Sequence, residues 1–297
     1  MIVYSRPDLL RVLFTLKGSI ITRIAPRCLS LTALAALIVL IERHYPALFY
    51  PVSATPFTLL GLSLSIFMSF RNNACYDRWW EGRKAWGRLL IESRSFIRES
   101  VVITDPALRA ELLRSLVGFA HALNARLRNE EERPVAQPWL AQTSASHNLC
   151  DSILQGIGAH CSRLAQQQAI SEVRFTQLEQ RLVGLSEVQA TCERIKTTPL
   201  PFPYTLLLHR TIYIFCLLLP FALAEPLGWL APLFTTLVSY TFFGLDAIGN
   251  ELEDPFGRDE NDLPTDALVR ALERDVLGAL GHEPLPPVLA PVEHVLS

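Results

Sequence analysis

Two stretches of the chain are nearly free of charge, and each is long enough to hold a pair of apolar helices. Between Cys28 and Ile41 there is no Asp, Glu, Lys or Arg; Glu42 and Arg43 interrupt, and from Tyr45 to Phe70 there is again none. The second stretch, Thr211 to Leu245, carries Glu225 as its one charged residue. A helix needs about 20 residues to cross roughly 30 Å of hydrocarbon, so the pattern predicts four membrane spans. Cys28–Ile41 and Thr211–Ala224 fall short of that length when bounded by their charges. Arg27, Arg210 and Glu225 must then snorkel to the interface or face protein. The competing reading is a soluble helical protein with buried hairpins, but two such blocks are hard to bury in one chain of this size.

Basic residues set the orientation. Arg6, Arg11, Lys17, Arg23 and Arg27 precede the first span, and Arg71, Arg78, Arg83, Lys84 and Arg88 come after the second, whereas the outer loops hold Arg43 and no other Lys or Arg. The positive-inside rule then places both termini and the middle segment in the cytoplasm. That segment is expected to be helical. Asp105-Pro106 reads as an N-cap followed by proline at the first helical position. Leu112, Leu116, Phe119, Leu123 and Leu127 then recur at helical spacing, as do Leu178, Leu182, Leu185 and Cys192. Arg128–Ser146, rich in charge, Pro and Gln, is expected to be a loop. Expected boundaries are 1–70 for the N-terminal segment and first two spans, 71–204 for the cytosolic helices, 205–246 for the last two spans, 247–282 for an acidic segment and helix, and 283–297 for a tail. Pro284, Pro286, Pro287 and Pro291 keep that tail from being helical throughout. The expected fold is an all-α membrane protein whose spans continue into a cytosolic helical bundle.

Composition sharpens this picture only in places. Half of the 297 residues are hydrophobic and 19% are charged, below the quarter usual in soluble domains, so the charges are segregated along the chain. A net charge of −2 gives no broad electrostatic basis for a nucleic-acid partner. Cys28, Cys75, Cys150, Cys161, Cys192 and Cys216 lack metal-ligand spacing and are expected to be free thiols. The basic N-terminus and first apolar run imitate a signal peptide, but no A-x-A-like cleavage site comes after it, so the run is expected to be retained.

The span from Pro56 to Phe70 is the most informative. Leu62, Ile66 and Phe70 stand four residues apart and form one bulky ridge, and Gly61, Ser65 and Ser69 form a small-residue ridge beside it. Small residues at this interval let helices approach closely in a bilayer. With several copies around an axis, the bulky ridge becomes a stack of apolar rings that gates by dewetting. The same ridge would serve equally against lipid or a neighbouring helix.

A family resemblance begins at the end of this span. Phe70-Arg71-Asn72-Asn73-Ala74-Cys75-Tyr76-Asp77-Arg78-Trp79-Trp80-Glu81 resembles the segment after the pore helix of bacterial bestrophins. Cys192-Glu193-Arg194, Thr198-Pro199-Leu200-Pro201-Phe202-Pro203-Tyr204 and Glu251-Leu252-Glu253-Asp254-Pro255-Phe256-Gly257 agree, in order, about the spans. The resemblance covers nearly the whole chain up to the tail. It implies a homopentamer in the cell membrane with one ion pathway, a neck at Leu62, Ile66 and Phe70, and a cytosolic aperture at Val173. Self-association, the bilayer and permeant monovalent ions are the implied partners.

The resemblance also bears on regulation and ion sign. Animal bestrophins carry a calcium clasp in this region, and Glu251, Asp259 and Asp262 match its positions, although Arg258 and Asn261 interrupt the acidic run. Oxygen donors suit calcium, and the alternative is a solvated acidic loop capping the next helix. No cofactor is required; calcium is the candidate regulator. At family level the assignment is chloride, with cation passage in members of the bacterial branch; animal members put phenylalanines deeper into the neck, whereas here Leu62 and Ile66 occupy its two upper positions.

Nothing points to catalysis. His44, His121, His147, His160, His209, His282 and His294 show no H-E-x-x-H spacing, and no G-x-S-x-G or Gly-rich phosphate loop is present. Trp79, Trp80 and Trp86 suit an interfacial belt or packing between subunits. The remaining function classes are a passive channel, a secondary transporter and a non-conducting scaffold. The two apolar pairs do not resemble each other, which weighs against the repeated halves of a transporter.

Overall fold

The computed structural model describes residues 1–3, 18–46, 53–141 and 146–297. Arg6, Arg11 and Lys17 of the basic N-terminus therefore lie outside the described residues. Among the described residues there are helices and isolated bridges but no β-strand. The helices are α1 (Ile21–His44), α2 (Thr55–Glu99), α3 (Pro106–Leu127), α4 (Glu132–Ala136), α5 (Leu149–Gln166), α6 (Glu172–Thr197), α7 (Phe202–Leu227), α8 (Ala231–Glu253) and α9 (Thr265–Ala279).

Two compact units emerge. One contains the described residues of Ser5–Arg78 together with Pro199–Glu253; the other contains Trp79–Thr198 and Asp254–Ser297 with the first residues of the chain. α2 contributes to both. The seams between described residues fall at 78, 198 and 253.

The first unit is built from α1, α7, α8 and the N-terminal part of α2. Ile21–His44 and Phe202–Glu253 are long and apolar enough to cross a membrane. The longer stretch is broken where Gly228, at φ +51, ends α7 in a conformation that suits glycine, and a turn at Gly228–Leu230 leads into α8. α1 buries Ile24, Cys28, Leu31, Ala35 and Ile38 at intervals of four and three, which puts one face of the helix against α7 and α8. It starts well before the charge-free run, with Arg23 and Arg27 inside it. Arg23 pairs with Glu251 at 3.0 Å, and the Arg27 guanidinium lies 5.8 Å from the centre of the Tyr213 ring. Several hydroxyls on these helices find partners, as an apolar surrounding favours. The Thr32 and Thr236 hydroxyls meet at 2.5 Å, and Ser239 donates to the Thr235 carbonyl at 2.6 Å.

A conventional apolar core organises the second unit. Trp86, Leu89 and Phe96 of α2 meet Leu112, Leu116, Phe119 and Leu123 of α3 and Leu178, Leu182, Leu185 and Cys192 of α6, all buried. Each such aliphatic or aromatic side chain contributes about 1.5–3 kcal/mol when fully withdrawn from water. Asp105 caps α3 by accepting from the amides of Ala107 and Leu108 at 2.9 and 3.3 Å.

Arg128–Ser146 departs from the expected loop. It contains α4 and a single 3-10 turn at Gln137–Trp139, while 142–145 lie outside the described residues. Glu132 holds α4 through Arg126 at 2.7 Å, and Trp139 stacks on His121 with ring centres 5.9 Å apart. The tail has no helix but is held at its end. Val3 donates to the His294 carbonyl, Leu296 to that of Met1 and Ala267 to that of Ser297, each at 2.9 Å.

Candidate functional site

α2 turns two opposite faces outward and inward. Leu64, Met68, Arg71 and Cys75 are buried at intervals of four, three and four; Leu64 and Met68 join the apolar cluster of α1, α7 and α8, and Arg71 pairs with Asp246 of α8. At about 100° per residue these side chains occupy an arc roughly opposite Leu62, Ile66 and Phe70. Those three are 61%, 48% and 61% exposed. A helix that hides one side against its own chain and presents bulky apolar groups on the other awaits a second covering, by lipid or by copies of itself.

Within one chain the small-residue ridge is divided. A Cβ at Gly61 would lie 3.2 Å from the Phe215 ring of α7, so this position packs within the chain. Ser65 and Ser69 are exposed, and Ser65 donates to the Gly61 carbonyl at 2.8 Å. Within one chain the seam belongs to Leu64 and Met68, because these larger side chains reach the cluster of Ile212, Phe215 and Phe242.

Below the ridge lies a buried ionic cluster that the sequence pattern did not reveal. Arg71 is fully buried, although it looks like a water-facing cation at the end of a span. Its guanidinium donates to Asp246 at 2.9 Å and to Asn250, and lies 3.6 Å from Glu253. His209 stands 3.0 Å from the second Asp246 oxygen, and Asn72 donates to the Leu245 carbonyl at 3.0 Å. Gly249 makes room for this: a Cβ there would come within 2.6 Å of the Asn72 oxygen and 3.1 Å of the Arg71 guanidinium. Arg78 donates to the Glu253 carbonyl at 3.1 Å, and Glu253 accepts from the Leu200 amide at 3.0 Å. The arrangement can fix α2 against α8 at one rotation, and so fix which side of α2 faces away from the chain.

Val173 sits in the first turn of α6 and is 69% exposed. Ser171 caps that helix by accepting from the Arg174 amide at 3.4 Å. The three acids matched to calcium are distributed over both units and engaged in the single chain. Glu251 pairs with Arg23 at 3.0 Å. Asp262, buried beside Gly257, accepts from the Asp259 amide at 2.7 Å. Burial pushes its carboxyl up to about 6. Among the described residues no group of three or more His, Cys, Asp or Glu is placed to hold a metal ion. All six cysteines are free and buried, and burial pushes the thiols of Cys150 and Cys192 up to about 12.

The family described as Bacterial/Fungal Bestrophin protein matches residues 1–278. This chain belongs to the bestrophin family. Among its bestrophin relatives, a voltage-dependent anion channel-forming protein of Mesorhizobium japonicum is 43% identical over 298 residues, covering 99% of this chain and 96% of the relative. The voltage-dependent anion channel-forming protein YneE of Escherichia coli K12 is 38% identical over 300 residues, covering 99% of each chain. The crystal structure of a bestrophin homolog from Klebsiella pneumoniae superposes with a TM-score of 0.84 at 34% identity, over 88% of this chain and 100% of that one. The all-helical architecture is that of the bestrophin structures, and the chain is a membrane protein of this family.

Proposed function

We propose that this bestrophin is an ion channel: five copies surround one axis, and monovalent ions pass down their electrochemical gradient between the α2 helices. The observation that carries the reading is the orientation of α2, which packs Leu64, Met68 and Arg71 inward and leaves Leu62, Ile66 and Phe70 exposed on the opposite side. Around an axis these three become successive apolar rings. A constriction of that kind holds back ions by the cost of stripping their water and opens when it wets. Val173, projecting from the start of α6, forms the second narrowing on the cytosolic path. The exposed Ser65 and Ser69 allow neighbouring α2 helices to approach.

The four spans in this reading are α1, the N-terminal part of α2, α7 and α8, in the cell membrane with both termini in the cytoplasm. The names of the relatives supply the anion assignment, and no calcium step enters the mechanism. Purified protein in planar bilayers tests the reading. Unitary currents are expected, and Ile66→Ala is expected to widen the neck and raise unitary conductance or open probability. Stoichiometric coupling without unitary steps would indicate a transporter, and silence from intact pentamers a scaffold. Currents unchanged in Ile66→Ala would remove that residue from the pathway.

A further inference from the structure

The apolar rings carry no charge, so the sign of the permeant ion must be biased elsewhere, and α2 itself continues past them. Between Thr55 and Arg78 this helix has three charged residues: Arg71, Asp77 and Arg78. By sequence alone they sum to one positive charge. Helical geometry sorts them differently. At about 100° per residue, Leu62, Ile66 and Phe70 span an arc of about 80°, and Asn73 and Asp77 fall inside that arc at about 20° and 60°. Arg71 and Arg78 fall near 180° and 160°, on the far side. Their contacts agree with that placement, since Arg71 is enclosed by Asp246, Asn250 and Glu253 and Arg78 binds the Glu253 carbonyl. Asp77 is exposed and has no hydrogen bond or ion pair among the described residues; Asn73 is exposed likewise.

We propose that Asp77 is a specificity-determining residue of the pathway: repeated around the axis, its carboxylates form a negative ring at the inner mouth of the neck, which enriches monovalent cations and repels anions. The inference rests on the reading of α2 as the pore helix. A mouth walled by protein and lined by one sign of charge focuses its field and raises the local concentration of counter-ions. Asp77 therefore works against the anion preference named for the relatives, and its removal should move selectivity toward anions whatever the starting ratio.

The test is the reversal potential of purified channels in bilayers under a salt gradient, for the wild type, Asp77→Asn, Asp77→Glu and Ile66→Ala. Asp77→Asn should lower the cation-to-anion permeability ratio on the order of tenfold, the low end of the counter-ion enrichment such a mouth produces. Asp77→Glu, which keeps the charge, should restore the ratio. If Ile66→Ala alters conductance while Asp77→Asn leaves the reversal potential in place, the ring is refuted and the pore helix stands. If the wild type passes no unitary current, or Ile66→Ala changes nothing, both the ring and the pore reading fall.

Discussion

Arg71 is a charge with no water to retreat to. Its partners are a carboxylate at 2.9 Å, an amide oxygen and a second carboxylate at 3.6 Å. Removing one member of a buried pair costs more than the pair is worth, because the survivor keeps its desolvation penalty. Asp246→Ala is therefore expected to lower stability by about 3 kcal/mol, the low end for an orphaned buried charge, because Asn250 and Glu253 remain within reach. Thermal melts in detergent measure this, with Arg71→Met/Asp246→Leu expected to recover much of the loss; an unshifted melt for Asp246→Ala would contradict the buried pair. This cluster was illegible in the sequence for a definite reason. An arginine directly after an apolar span looks like an interfacial cation, and the partner that buries it stands 175 residues away. The lone acid Asp246, at the end of an apolar run, was the available signal.

At the scale of elements, the loop before α9 and the first turn of α9 hold two acids with opposite responses to pH. Burial raises the Asp262 carboxyl from 3.8 to about 6. Its folded form thus prefers the proton, and the penalty it imposes at neutral pH is relieved as pH falls from above 6 toward 3.8. Asp266 behaves the other way. Burial pushes it up, but the hydrogen bond and charge of Arg128, with Asn124, outweigh burial and hold it below 3.8, so its contribution is lost only at lower pH. Asp262→Asn, which still accepts from the Asp259 amide, should stabilise the protein on the order of 1–2 kcal/mol at pH 7.5. That gain should vanish near pH 4; melts at the two pH values check this, and equal gains would contradict the raised carboxyl.

The same scale shows what the pattern of residues could reveal. Leucine periodicity and the Asp105-Pro106 cap sufficed for α3, because local spacing and capping decide it. Charge-bounded counting shortened α1, because Arg23 and Arg27 are held inside the helix by Glu251 and the Tyr213 ring, neither of them near in sequence. α4 was hidden in a charged, proline-bearing stretch, and the Arg126–Glu132 pair and the His121–Trp139 stack that hold the stretch became visible only in three dimensions. The ridge of Leu62, Ile66 and Phe70 was legible because helical spacing alone defines it. The division of Gly61 from Ser65 and Ser69 depends on Phe215.

For the whole molecule, the central claim is that the exposed side of α2 lines the route of the ions. The native cysteines are all buried, which provides a quiet background for a reporter thiol. The most direct measurement is single-channel recording of Ile66→Cys while a charged, thiol-specific reagent is applied. Discrete conductance steps are expected as successive copies are modified, none in the wild type, with a change in the barrier at the neck for each added charge. Complete labelling of Cys at position 66, shown by mass spectrometry, with the unitary current unaltered would place that side chain away from the ions and contradict the account.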